Sequence, residues 1–225
     1  MQGGYFGKLP AKADFVSGHC PAGFLRLWEP FLMQGLAGSR KDLSPSWEEA
    51  YMTMPVWRFL LNPEDPACSL PAPLAGAFMP SVDRVGREFP LTIVAKLDSA
   101  LADGGPCKTW YDGVEAILLK TLEDDASLPA FQEAVCALDE PDAGAASDRP
   151  AKFEMLVAAE NESQWLSSSF WCRAGERTFS FRCEGLPSKE DFRWLILPER
   201  YGRERPENRA GETATGRNHP EDHRT

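Results

Sequence analysis

Three short apolar runs follow one another in the first half of the chain, and they constrain its fold more than any other feature. Their sequences are PVWRFLL from residue 55, LAGAFMP from residue 74 and FPLTIVAKL from residue 89. Each run is bounded by proline, glycine, asparagine or aspartate, which is typical of strands. The sequence therefore predicts three successive strands that form a sheet.

Segments with helical periodicity flank these runs. We predict helices at residues 21–36, 44–51, 107–123 and 127–139. The first contains Pro30, where we expect a kink or a break. The second should begin with Ser44 as N-cap and Pro45 as first helical residue. The third should pack through an apolar face that includes Trp110 and Leu122.

The remaining folded segments add strands and one short helix. We predict a first strand in GYFGKLP and a β-hairpin formed by SSSFWCR and RTFSFRCE, with Gly175 in its turn. FEMLVAA could be a strand or a helix start, and it follows a loop between Glu140 and Lys152. SKEDFRWLI should form a short helix with Ser188 as its cap and Asp191 as an acidic N3 residue.

The order of these elements predicts the architecture. Strands and helices are mixed without a regular βαβ rhythm, so we expect an α/β fold: a three-layer α-β-α sandwich with a mixed, largely antiparallel central sheet. Residues 1–201 should form a single domain. Residues 202–225 contain no aromatic residue and no aliphatic residue larger than alanine, so we predict a disordered polar tail.

Charge and cysteine usage exclude several classes of function. The net charge is −10, which repels phosphate backbones and anionic lipid, so we expect no nucleic-acid partner and no membrane insertion. The N-terminus lacks the pattern of a secretory signal, and no apolar span is long enough to cross a membrane, so we expect a cytoplasmic protein. Six cysteines occur without a CxxC pair or zinc-ligand spacing, which predicts no metal site.

No catalytic constellation can be assembled from the sequence. His19 is the only histidine outside the tail, and adjacent Cys20 is poorly placed to be activated by it. No phosphate-binding glycine loop occurs, so no cofactor is expected. Five tryptophans lie in apolar segments and are expected in the core: Trp57, Trp110, Trp165, Trp171 and Trp194.

The stretch MPSVDRVGREFP, residues 79–90, concentrates charge between two apolar runs. Gly86 permits a tight turn that would hold the guanidinium groups of Arg84 and Arg87 in fixed positions. Such a turn could be a docking surface. The alternative is structural: an Asp83–Arg84 or Arg87–Glu88 network, tied to Asp14, that fixes the loop against the sheet.

Three segments together resemble the TagF (ImpM) family of accessory proteins associated with bacterial type VI secretion: GYFGKLPAKADFV, PVWRFLL and MPSVDRVGREFPLTI. They occur in the order and approximate spacing of the family, from Gly4 to about Val94. SSSFWCR and GLPSKEDFRWLI resemble it more weakly. Ala13 stands where the family usually has glycine, and Cys172 stands where a second tryptophan is common.

The resemblance implies a cytoplasmic regulator that acts after translation, typically by restraining assembly or firing of the secretion apparatus. A forkhead-associated scaffold protein of that system is the implied partner. Some relatives are fused to a protein phosphatase domain, and nothing in this chain matches one. We therefore expect a non-enzymatic interaction module.

GKLPAKADF and SVDRVGREF are expected to form a joint polar surface that binds the partner. The candidate residues in these two segments are Lys8, Asp14, Ser81, Asp83, Arg84 and Arg87. The alternative is a small hydrolase or transferase that acts on an anionic substrate through Asp14, Asp83, Arg84 and Arg87.

Overall fold

The computed structural model describes residues 3–98, 105–142, 150, 155–157 and 165–200. The predicted tail at 202–225 and most of the predicted loop at 140–152 lie outside the described residues, so the domain boundary at residue 201 stays a prediction. In chain order the elements are β1 (Gly4–Lys8), β2 (Phe15–Gly18), α1 (Phe24–Leu43), α2 (Trp47–Met52), β3 (Trp57–Pro63), β4 (Leu74–Met79), β5 (Leu91–Lys96), α3 (Lys108–Lys120), α4 (Leu128–Cys136), β6 (Met155–Val157), β7 (Leu166–Ala174), β8 (Arg177–Glu184) and α5 (Phe192–Ile196). None of the described helices is long and apolar enough to cross a membrane.

The strands of the described chain form one sheet in the order β2-β1-β5-β4-β3-β7-β8-β6. All neighbours pair antiparallel except β6 and β8, which pair in parallel. The three strands predicted first are adjacent at the centre, where Gly76 of β4 lies opposite Phe59 of β3 and Val94 of β5. The predicted hairpin is β7 and β8, with Gly175 at φ 62° in its turn. A mixed, largely antiparallel sheet is therefore confirmed.

Helices cover both faces of this sheet. Successive residues of a strand point to opposite sides, so each central strand contributes to a core on each face. In β3, Phe59 belongs to the core shared with α1, α2 and α5, whereas Leu60 belongs to the core shared with α3 and α4. In β7, Phe170 and Trp171 divide between the two cores in the same way. The predicted three-layer α-β-α sandwich is thus confirmed.

Of the two outcomes predicted at Pro30, a kink or a break, the break was wrong, because helix α1 continues through this residue. Proline removes the hydrogen bond to the carbonyl four residues earlier, here that of Arg26. Both residues are exposed, and water can satisfy that carbonyl. The helix also extends beyond its predicted end, because Ser39 is buried and its hydroxyl accepts the indole N–H of Trp47 at 2.9 Å.

The two short helices begin later than predicted. Helix α2 begins at Trp47 and not at Pro45, because Ser44 is extended (φ −57°, ψ 134°) and closes the end of α1. Helix α5 begins directly after Asp191. The expected capping contact is nevertheless present, since the Ser188 hydroxyl accepts the Asp191 amide at 3.1 Å and donates to its carboxylate at 2.7 Å.

Two apolar residues assigned to the core are exposed instead. Leu122 is 58% exposed and lies just beyond the end of α3, and Trp165 is 45% exposed and lies just before β7. In both places the run of apolar residues in the sequence is longer than the helix or strand that it forms. Strand β2 carries almost no sequence signal, because Val16 is its single buried residue.

Gly35→Ala is expected to lower the free energy of unfolding by about 1–3 kcal/mol. A Cβ at this position would lie 2.1 Å from Cδ2 of Phe192, closer than packed atoms can approach. This clash opposes the roughly 1 kcal/mol by which alanine normally stabilises a helix interior relative to glycine. Urea denaturation measures the net effect.

Gly113→Ala in α3 is the matched control for this prediction. Its Cβ would meet Cδ1 of Leu138 at 3.4 Å, an ordinary contact. We expect this variant to be stabilised by about 0.5–1 kcal/mol. Stabilisation of Gly35→Ala by a similar amount would contradict the packing argument.

Candidate interaction site

The carboxylate of Asp83 is the buried centre of the loop between β4 and β5, and its side chain has no solvent exposure. Its Oδ2 lies 3.1 Å from the Lys8 ammonium and accepts Nε–H of Arg87 at 2.7 Å. Its Oδ1 accepts the backbone amides of Val85 and Arg87, both at 3.0 Å. Two cations and two amides therefore satisfy both carboxylate oxygens.

Desolvation by burial acts to raise the pKa of the Asp83 carboxyl group. The backbone amide of Arg87, the Lys8 ammonium, the Arg87 guanidinium and the Val85 amide outweigh this effect, and the pKa lies well below its usual range. Asp83 is therefore ionised at physiological pH. A buried carboxylate without such partners would be strongly destabilising, so the loop depends on these contacts.

Hydrogen bonds connect this loop to the turn that joins β1 and β2. The backbone amide of Arg84 donates to the Lys12 carbonyl at 2.8 Å. The guanidinium of Arg87 donates to the Ala13 carbonyl. The structure thus brings GKLPAKADF and SVDRVGREF together in one unit.

Helix α2 holds the beginning of the loop from the other side. The Tyr51 hydroxyl accepts the Ser81 amide at 3.0 Å and donates to the Ser81 carbonyl at 2.9 Å. Burial raises the pKa of the Tyr51 phenol, so this donor stays protonated. The Ser81 hydroxyl in turn donates to the Lys8 carbonyl at 2.8 Å. Helix and strand therefore fix the loop through one serine.

The ion pairs differ from those that the sequence suggested. Asp83 pairs with Arg87 and not with Arg84, and Glu88 pairs with Arg40 of α1 at 2.8 Å and not with Arg87. The loop turns back after Asp83, where the Val85 and Arg87 amides bind its carboxylate, and this turn brings Arg87 and not the adjacent Arg84 to Asp83. The structural network exists, with other members than those expected.

The six candidate residues separate into a buried and an exposed group. Lys8, Ser81 and Asp83 are buried, whereas Asp14, Arg84 and Arg87 are exposed. The Asp14 carboxylate accepts the backbone amide of Phe15 at 2.8 Å and stays outside the Asp83 network. The Arg84 side chain makes no hydrogen bond or ion pair with any residue that the structure describes. Of the six, only the exposed residues are accessible to a partner, and the buried residues fix the loop that carries Arg84 and Arg87.

The same geometry bears on the hydrolase alternative. All the donors around Asp83 are structural, and its carboxylate is closed to a substrate. His19 is exposed, with φ at 49°. The neighbouring Cys20 thiol donates to the Tyr5 carbonyl at 3.2 Å, and burial raises its pKa to about 11 against the lowering effect of backbone hydrogen bonds. That thiol is therefore protonated and a poor nucleophile.

Sequence reasoning missed Tyr51 and Arg40 as members of the site. Tyr51 lies in a short helix and is 30 residues from Ser81, so no local pattern connects them. Arg40 belongs to the part of α1 beyond its predicted end. It stacks on Trp47 with 4.2 Å between the guanidinium carbon and the ring centroid.

A family model described as the TagF N-terminal domain, type VI secretion system-associated, matches residues 4–138, a range that contains the whole site. The chain belongs to the TagF family. The resemblance carried by the three sequence segments is therefore confirmed, and the protein is associated with type VI secretion.

One solved structure extends the comparison along the chain. The crystal structure of PA0076 from Pseudomonas aeruginosa PAO1 is similar over 97% of this chain and 98% of its own, at 27% identity and a TM-score of 0.68. No curated protein matches. The likeness thus continues past residue 138 into the half in which the sequence segments resemble the family more weakly.

Asp83→Asn is expected to lower the melting temperature by roughly 5 °C or more at neutral pH, because a neutral amide leaves the buried Lys8 ammonium without its counter-charge. In the unfolded chain the Asp83 carboxyl titrates near its ordinary pKa of about 4. Since its pKa is lower in the folded state, its contribution is complete above about pH 5 and declines as the pH falls below about 4. The difference in melting temperature between wild type and Asp83→Asn should therefore become smaller as the pH falls below about 4.

Thermal melts of both proteins between about pH 7 and pH 3 check this dependence. Asp124→Asn, at an exposed position, is the control and should melt within about 1 °C of the wild type. A difference in melting temperature between Asp83→Asn and the wild type that stays constant across this pH range would show that the Asp83 charge is not the stabilising element.

Proposed function

We propose that this TagF-family protein is a cytoplasmic, post-translational negative regulator of its type VI secretion system. It acts by binding another protein and not by catalysis. The proposed partner is a forkhead-associated scaffold protein of the same system, as the family resemblance implies. The observation that carries the proposal is the exposed pair Arg84 and Arg87, on a loop that is fixed around the buried Asp83 carboxylate.

Rigid presentation of these arginines supports binding. Each group that is ordered only on association reduces affinity, and a loop that is already fixed avoids most of that loss. Asp83, Lys8 and Tyr51 fix the backbone of the loop in the free protein. The Arg84 guanidinium can then form a planar, two-bond contact with a carboxylate or phosphate group.

The allocation of charged groups favours an interaction module over an enzyme. Acid–base or nucleophilic catalysis needs a titratable group that is open to the substrate. Asp83 is enclosed by its donors, and the Cys20 thiol is bonded to a carbonyl. Of the candidate residues, Asp14, Arg84 and Arg87 stay accessible. The Asp14 carboxylate accepts the Phe15 amide, and the usual role of exposed arginines is recognition. The sense of the regulation, restraint of the apparatus, comes from the family resemblance.

Arg84→Ala is expected to weaken binding to the scaffold protein by about ten-fold or more, as for a central interface arginine. Its melting temperature should stay unchanged, because the side chain is exposed and has no partner among the described residues. Arg26→Ala, at an exposed arginine of α1, is the matched control. Isothermal titration calorimetry with purified proteins measures both affinities.

The double variant Arg84→Ala, Arg87→Ala should bind still more weakly, but it also removes a partner of Asp83 and needs a parallel melt. In cells, Arg84→Ala should fail to restrain secretion where the wild-type protein does. If Arg84→Ala binds the scaffold protein as tightly as the wild type does, the surface around Arg84 is not the binding site. Absence of binding by the wild type would exclude the scaffold protein as partner.

A further inference from the structure

Strand β2 is one edge of the sheet, and no other strand of the described chain pairs with its outer side. An edge strand presents unpaired N–H and C=O groups that another chain can join. β2 begins beside the turn that contains Lys12 and Ala13, and this turn is bonded to Arg84 and Arg87. A chain that joined β2 would therefore pass the exposed arginines.

The register of β1 and β2 identifies the backbone groups at this edge. Phe15 lies opposite Lys8, yet the Phe15 amide donates to the Asp14 carboxylate and the Lys8 carbonyl accepts the Ser81 hydroxyl, both at 2.8 Å. The two residues thus form a non-hydrogen-bonded pair, whose backbone groups point away from each other. Hydrogen-bonded and non-hydrogen-bonded pairs alternate along an antiparallel ladder. Ser17 lies two residues after Phe15, so it also belongs to a non-hydrogen-bonded pair, and its N–H and C=O point away from β1.

Phe15 gives the edge an apolar contact. Its side chain is 44% exposed, while its ring packs edge-to-face on Phe89 with centroids 4.8 Å apart and stacks on Phe6 at 5.7 Å. An aromatic ring that is anchored on one side and open on the other can cover an incoming apolar side chain with little loss of its own freedom.

The local charge differs in sign from that of the chain, whose net charge is −10. The end of β1, the loop, the turn and the last turn of α1 bring together six basic and four acidic side chains: Lys8, Lys12, Arg40, Lys41, Arg84 and Arg87 against Asp14, Asp42, Asp83 and Glu88. Lys12 and Arg84 are exposed cations whose side chains make no hydrogen bond or ion pair with the described residues. An acidic segment is the complement of this surface.

We propose that β2 accepts an extended, acidic segment of the protein partner as an added strand, paired with the Ser17 backbone and flanked by Phe15 and Arg84. This inference rests on the proposed function, because it specifies how the same partner is bound. In such complexes main-chain hydrogen bonds contribute affinity, and alternate side chains contribute specificity.

Ser17→Pro tests the strand directly. Proline removes the outward N–H, whereas the ladder to β1 runs through Val16 and Gly18 and stays intact. With the purified scaffold protein as probe, we expect Ser17→Pro to bind about ten-fold more weakly or worse. Ser17→Thr retains the N–H and is the matched control, expected within about two-fold of the wild type.

Amide hydrogen exchange of the wild-type complex, followed by NMR, gives a second readout that does not depend on how the proline variant folds. The Ser17 amide should exchange more slowly in the complex than in the free protein. Overlapping peptides that span the scaffold protein then identify the bound segment. It should be acidic, and its affinity should fall as salt is added and in Arg84→Glu.

The outcomes separate this inference from the proposed function. Normal binding by Ser17→Pro, or a Ser17 amide that is not protected in the complex, overturns the added strand and leaves the regulator in place. A bound peptide without acidic residues overturns the acidic segment. No binding of the scaffold protein by the wild type overturns the proposed function and this inference together.

Discussion

Moving the Asp83 carboxylate out of water removes hydrogen bonds and solvation that the fold has to replace. The replacements come from two directions: Lys8 from the end of β1, and Arg87 with two amides from the loop itself. Because β1 lies within the sheet, the position of the Lys8 ammonium is set by strand pairing. Asp83 can pair with the Lys8 ammonium only if the loop lies against the end of β1. This requirement fixes the position of the loop on the sheet.

The same requirement determines what the surface presents. Arg87 pairs with Asp83 while 60% of its side chain stays exposed, so it belongs both to the buried network and to the accessible face. Arg84 bonds through its backbone to the Lys12 carbonyl, which leaves its side chain directed outward. A buried ion pair contributes little net stability when desolvation is included. What the network does beyond stability is to fix the direction in which Arg87 leaves the surface.

Much of the fold could be predicted from local patterns. The strands β3, β4 and β5 are apolar on both faces and punctuated by turn residues, and that signal is local. The break at Pro30 was predicted wrongly because the cost of proline in a helix depends on whether water reaches the Arg26 carbonyl, which the sequence does not show. The partner of Asp83 could not be chosen for a similar reason: Lys8 is 75 residues away, and only the pairing of β1 with β5 brings it near.

Strand β2, the edge proposed to accept a partner strand, is short and weakly marked in the sequence. Four residues with one buried side chain are too few to form a stable ladder with another copy, and short edges beside charged side chains are a common protection against aggregation. For the same reason the backbone of β2 alone cannot hold a partner tightly. Stable addition of a strand there requires contributions from Phe15 and from the arginines of the loop. Selectivity would then follow from the Asp83 network, since the arginines are oriented only while that network is intact.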